Sequence, residues 1–107
     1  MYYIDFKAEA LLFIDNIRDK NIREILKKEI NQLKENPKSK GKILKAVKYE
    51  SLPVYEKRIF SHGGFRIYYS ISELDIIIFG IEYEGTVKIL RTGTKKNQKK
   101  DIKKLMW

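Results

Sequence analysis

The spacing of apolar residues changes twice along this chain of 107 residues. Tyr2, Ile4 and Phe6 alternate with Tyr3, Asp5 and Lys7, which is the period of a short strand, although the same run also suits the opening of a helix. From Ala8 the period lengthens. Ala10, Phe13, Ile14 and Ile17 fall at i, i+3, i+4 and i+7, one helical stripe ending near Arg18 and Asp19. A second stripe, Ile22, Ile25, Leu26, Ile30 and Leu33, opens on the capping-box spacing Asn21-x-x-Glu24 and closes at Asn36-Pro37. Two stripes joined by a few residues predict an antiparallel helical hairpin. Its outer face mixes Arg23, Lys27, Lys28 and Lys34 with Glu24, Glu29 and Glu35, the pattern of a solvated, paired surface.

Between Pro37 and Pro53 the chain reads as a basic connector around Gly41, part of it a short strand or turn. Beyond Pro53, β-branched and aromatic residues dominate, and the interruptions are Gly63-Gly64, Ser72 to Asp75 and Glu84-Gly85. Four strands are predicted, near Val54 to Phe60, Phe65 to Ile71, Ile76 to Tyr83 and Thr86 to Thr92, the last two joined by a tight Glu84-Gly85 turn. A helical tail follows with Ile102, Leu105 and Met106 as its apolar stripe. The expected fold class is α+β: a twisted antiparallel sheet with an N-terminal helical hairpin packed on one face and a basic C-terminal helical tail.

Length and composition narrow the function. Residues 1–107 suffice for one domain with one core, and 43% hydrophobic with 12% aromatic residues is globular rather than disordered. No cysteine means no disulfide framework and no thiolate nucleophile, and a lone histidine, His62, leaves a zinc site without ligands. No metal or other cofactor is expected. The longest apolar run, Ile76 to Ile81, is too short for a bilayer, and the first residues lack the layout of a leader, so a cytoplasmic protein with no membrane partner is expected. Charge adds direction. Arg91 to Trp107 holds seven lysines and arginines against Asp101, so this end contributes +6 of the +9 formal charge and attracts a polyanion.

Strand alternation places candidate chemistry. Phe65, Ile67, Tyr69 and Ile71 share one face, which reads as core, and Arg66, Tyr68 and Ser70 share the other, open side. Glu56 and Arg58 alternate with Tyr55, Lys57 and Ile59, so pairing through the His62-Gly63-Gly64 turn brings Arg58 beside Arg66. Two neighbouring guanidiniums either share an anion, forming a phosphate clamp, or each takes a surface acid such as Glu56. His62 has the pKa for general acid or base work, and is equally at home as an exposed turn residue. Tyr68, Tyr69, Tyr83 and Trp107 can stack on bases or fill a small core.

The order of these features resembles the RelE/ParE toxin superfamily. The likeness is carried by the hairpin ending at Asn36-Pro37, by Leu52-Pro53-Val54-Tyr55-Glu56-Lys57-Arg58-Ile59 and by Gly64-Phe65-Arg66-Ile67-Tyr68-Tyr69-Ser70-Ile71. The tail Thr94-Lys95-Lys96-Asn97-Gln98-Lys99-Lys100-Asp101-Ile102 is similar to the HigB-like addiction-module branch. The resemblance implies a toxin whose basic surface is masked by an antitoxin encoded nearby. It also implies ribosome-dependent, metal-independent cleavage of mRNA that inhibits translation. Two alternatives stay open: a gyrase inhibitor of the ParE type without nuclease chemistry, and an inactive RNA- or ribosome-binding module. The resemblance implies Arg58, Arg66 and Lys95 as catalytic residues; with Glu56, as a base or as the group orienting Arg58, and His62, they make up the candidate catalytic set. Lys57, Tyr68, Arg91, Lys96, Lys99 and Lys100 are the expected RNA contacts. The stretch Glu82 to Arg91 departs from the family by adding a hairpin arm before the basic tail, and the tail lacks the His or Tyr of several ribonuclease members.

Overall fold

The computed structural model describes residues 1–61 and 63–105. Strand β1 (Tyr3–Phe6) leads into helices α1 (Ala8–Asp15) and α2 (Lys20–Asn31), followed by single 3-10 turns at Gln32–Lys34 and Pro37–Ser39. Then come β2 (Lys42–Tyr49), β3 (Leu52–Ile59), β4 (Phe65–Ser72), β5 (Ile76–Ile78), β6 (Ile81–Tyr83) and β7 (Thr86–Thr94). A last 3-10 turn, Lys95–Asn97, opens α3 (Gln98–Leu105). The α+β class holds, but the sheet is mixed rather than antiparallel. Its order is β1-β7-β4-β3-β2, and β1 runs parallel to β7 at the edge.

Two predicted boundaries move. The helix α2 starts on Asp19, whose carboxylate accepts from the Asn21 backbone N–H at 2.8 Å, rather than on an Asn21 box. The stretch Ile76 to Tyr83, read as one strand, folds back at Phe79-Gly80 into β5 and β6, which form a two-stranded sheet of their own. Glu84-Gly85 is therefore not a hairpin turn. It leads from β6 into β7, and the Glu84 N–H donates to the Met1 carbonyl at 3.1 Å.

The connector also resolves into structure. β2 pairs with β3 through a two-residue turn, Glu50-Ser51, with both φ positive, and an irregularity between Leu44 and Lys48 turns Val47 inward. Lys42, Lys45 and Lys48 stay exposed along this outer strand, where charge discourages pairing with another chain.

The sheet buries both faces. On one, Tyr55, Ile59, Phe65, Ile67, Tyr69, Ile71, Val87 and Ile89 meet Ala10 and Ile14 of α1 and Leu26 and Ile30 of α2. Tyr55 and Tyr69 stack at 5.4 Å, the Tyr69 hydroxyl donates to the Pro37 carbonyl at 2.9 Å, and Thr92 donates to the Ala10 carbonyl at 3.1 Å, so polar atoms inside this core are answered. On the other face, Val47, Val54, Tyr68 and Leu90 receive Ile102 and Leu105 of α3. That second layer sets the environment of the candidate site.

Candidate active site

Three central strands bring the candidate residues into two cross-strand rows. Arg58 lies directly opposite Arg66, and Arg66 opposite Gly93; one step along, Glu56 lies opposite Tyr68, and Tyr68 opposite Arg91. Directly opposed residues stand about 5 Å apart at Cβ, so the rows form one continuous patch. The predicted meeting of Arg58 and Arg66 is thus realised. The open side is not, because α3 lies over it and leaves Arg66 only 4% exposed.

Each charge in the patch has a distinct setting. Arg58 reaches the edge, with 45% of its side chain exposed, and its Nε donates to Glu56 at 2.9 Å. Glu56 is buried, and its second oxygen accepts from the Gln98 side chain of α3 at 2.7 Å. With both oxygens occupied, Glu56 holds Arg58 in place. Arg91 donates through Nε to Asp101 of α3 at 2.5 Å. Arg66 forms no ion pair among the described residues, and its buried Nε has no acceptor. Three guanidiniums against two carboxylates leave one positive charge in excess, lodged on the most buried of the three arginines. A buried cation without a counter-ion is costly, and an anion arriving there would relieve it.

The remaining polar atoms sharpen this. The Tyr68 hydroxyl is buried against Glu56 without reaching hydrogen-bonding geometry, and burial, followed by the charges of Glu56 and Asp101, raises its pKa well above the ordinary phenol value. Asp101 Oδ2 is likewise buried without a partner. Asp101 fits because position 93 is glycine: a Cβ there would run into its carboxylate. Arg66 Nε, Tyr68 OH and Asp101 Oδ2 are the buried side-chain atoms without partners among the described residues, and all three belong to this patch or the helix over it. Native interiors rarely leave such atoms unanswered, so their clustering sets this patch apart from the rest of the interior.

The other predicted residues distribute as follows. Lys95 is exposed at the rim, where its N–H donates to the Gly64 carbonyl at 3.2 Å, next to the turn that joins β3 to β4. Lys96, Lys99 and Lys100 are exposed along the last turn and α3. Lys57 does not join them: it projects from the opposite face and pairs with Glu29 of α2 at 2.8 Å, because alternation puts it on the helical side of β3. Tyr68 sits in the patch, but its ring lies within the second apolar layer and presents no stacking surface. Arg91 is committed to Asp101. His62, Met106 and Trp107 lie outside the described residues.

The packing roles of Gln98, Asp101 and Gly93 were not foreseen from the sequence. The signal was present, since Gln98, Asp101, Ile102 and Leu105 fall at i, i+3, i+4 and i+7, an inward stripe in which two positions are polar. Among the described residues no group of three His, Cys, Asp or Glu could hold a metal ion, and no helix is long and apolar enough to cross a membrane.

No family model and no curated protein matches this chain by sequence. Solved structures do match. The isolated E. coli RelE toxin superposes with a TM-score of 0.56 at 22% identity, covering 98% of this chain and 99% of that one. A chain of the intact E. coli RelBE toxin-antitoxin complex superposes with a TM-score of 0.56 at 24% identity, covering 88% of this chain and 96% of that one. The chain has the RelE fold.

Proposed function

We propose that this protein is the toxin of a type II toxin-antitoxin pair and that it cuts mRNA on the ribosome. One observation carries the proposal: Arg58 and Arg66 are cross-strand partners on one face, and the buried member has no carboxylate partner among the described residues. A fold shared with RelE supports the toxin reading, and a fold alone does not specify chemistry, so the weight falls on the patch. The intact RelBE complex supports an antitoxin as partner.

In this reading the scissile phosphate docks against Arg58 and Arg66. The ribose 2′-oxygen attacks its own phosphorus in line, giving up its proton, while the 5′-oxygen leaves and takes one up. Fixed guanidiniums favour the extra charge of the pentacovalent state over the ground state. Glu56 and Gln98 keep Arg58 in register, and Lys95, Lys96, Lys99 and Lys100 lead the RNA toward the rim by attraction to its phosphates. Because α3 lies over Arg66, the docking that brings the phosphate to Arg66 includes a shift of α3.

The experiment is primer extension on a message translated by purified ribosomes. Wild-type protein should give discrete cleavages that need ribosomes, and Arg58→Ala and Arg66→Ala should each lose on the order of 10² to 10³ in rate. Intact message together with inhibited gyrase supercoiling would replace this reading with the gyrase one. Binding to ribosomes without cleavage would replace it with an inactive binding module.

A further inference from the structure

The β5–β6 hairpin is acidic and apolar in a protein that is otherwise strongly basic. Residues 72–87 contain Glu73, Asp75, Glu82 and Glu84 and no lysine or arginine; a segment of −4 in a chain of +9 leaves +13 on the rest. Two of these acids are answered at home, Glu73 by Lys38 at 2.7 Å and Glu84 by the N-terminal ammonium at 3.5 Å. Asp75 and Glu82 have no cation partner among the described residues, and with Ile76, Ile77 and Tyr83 they line a groove of about 750 Å³.

Apolar exposure is concentrated in the same place. Leu74 is 78% exposed, Ile77 65%, Phe79 100% and Ile81 52%. Phe79 occupies a left-handed turn position at φ 50, beside Gly80 at φ 79, where a bulky side chain is strained and asparagine or glycine would be the easy choice. Holding a phenylalanine there, free of contacts, serves nothing within the fold. Neither strand is hydrogen-bonded to the main sheet, so among the described residues each has one edge that no other strand occupies.

We propose that this hairpin docks an extended, cationic and apolar segment of a partner protein, pairing along a free strand edge. Lysine or arginine of the partner meets Asp75 and Glu82, and its alternate apolar side chains cover Ile77 and Phe79. Charge selects this occupant. RNA and anionic lipid are repelled by the carboxylates. Two copies meeting hairpin to hairpin would oppose like charges. This surface is separate from the arginine patch, and its test leaves the nuclease reading untouched.

The test uses the full chain with two blocked peptides, Lys-Val-Arg-Val-Lys-Leu and Glu-Val-Glu-Val-Glu-Leu, followed by backbone amide NMR. The cationic peptide should shift the amides of residues 75–83, weaken with added salt and leave the acidic peptide without effect. Asp75→Asn with Glu82→Gln, and separately Phe79→Asn, should each weaken binding by about tenfold or more. Phe79→Asn suits the left-handed turn, so loss of binding there does not reflect unfolding. Absence of shifts in residues 75–83 at millimolar peptide, equal binding by the acidic peptide, or unchanged affinity in both variants overturns the proposal. Concentration-dependent self-association abolished by Phe79→Asn overturns it in favour of a second copy.

Discussion

Replacing Arg66 by methionine should make the protein more stable and less active. Arg66 is 4% exposed, its Nε has no acceptor among the described residues, and a charged group so placed costs roughly 1–3 kcal/mol against a satisfied one. Arg58 adds to this. Two like charges about 6 Å apart repel by about 3 kcal/mol at an effective dielectric of 20, and solvent at the exposed end of Arg58, together with Glu56, reduces that to about 1 kcal/mol. Methionine keeps the apolar stem that packs in the layer and removes the charge. The expected gain is about 1–3 kcal/mol, or about 4 °C in Tm for each kcal/mol in a domain of this size. Thermal and urea unfolding measure it. In the same variant, cleavage should fall on the order of 10² to 10³, and low-millimolar sulfate, expected to raise the wild-type Tm by binding at the patch, should no longer do so. Destabilisation by more than about 1 kcal/mol would make Arg66 a structural cation and refute the reasoning.

Three further outcomes follow from the same geometry. Gly93→Ala should drive Asp101 off β7, lowering stability by about 1–3 kcal/mol in urea titrations, with α3 amides losing hydrogen-exchange protection before the sheet does. Tyr68 and Tyr69 have raised pKa values, so each contributes stability that is complete below the unfolded value of 10.0 and is lost as pH climbs toward the folded value. Unfolding free energy should therefore fall above pH ~10 by up to about 1.4 kcal/mol per pH unit for each tyrosine, and Tyr68→Phe should remove one such contribution in urea titrations across that range. Lys95→Gln with Lys96→Gln should flatten the log–log salt dependence of single-stranded RNA binding by about 0.7 per lost phosphate contact, as read by fluorescence anisotropy.

Legibility in the sequence followed the strength of each local signal. The helical stripes of α1 and α2 repeat without interruption, and Ala10, Ile14, Leu26, Ile30 and Leu33 are indeed buried. β2 was hidden because three lysines interrupt its apolar positions and the irregularity at Ala46, with φ 63, breaks the alternation that would announce a strand. The β5–β6 turn was hidden for a related reason: phenylalanine is a poor predictor of a left-handed position, while Glu84-Gly85 mimics a hairpin signal that tertiary contacts override. The parallel pairing of β1 with β7 joins the two ends of the chain, which no local pattern encodes.

The site was legible as far as alternation reaches. Period-two faces brought Arg58, Arg66, Glu56 and Tyr68 to one side; the same alternation puts Lys57 on the other, against its expected place among the RNA contacts. What alternation cannot report is the layer above a sheet. The cover formed by α3, the hold of Gln98 on Glu56 and the contact of Asp101 with Gly93 depend on where the tail docks, and they bury Arg66, which was expected on an open face.

The central claim is that Arg58 and Arg66 jointly receive a phosphate. Arginine Nε–Hε NMR, with the wild-type protein titrated by a short RNA blocked at the reactive 2′-oxygen, reads this directly. The signal of the Arg66 Nε–Hε, which has no acceptor among the described residues, should move as a new hydrogen bond forms, together with that of Arg58. Responses confined to Lys95, Lys96 and the lysines of α3, with both arginine signals unmoved at saturation, would contradict it.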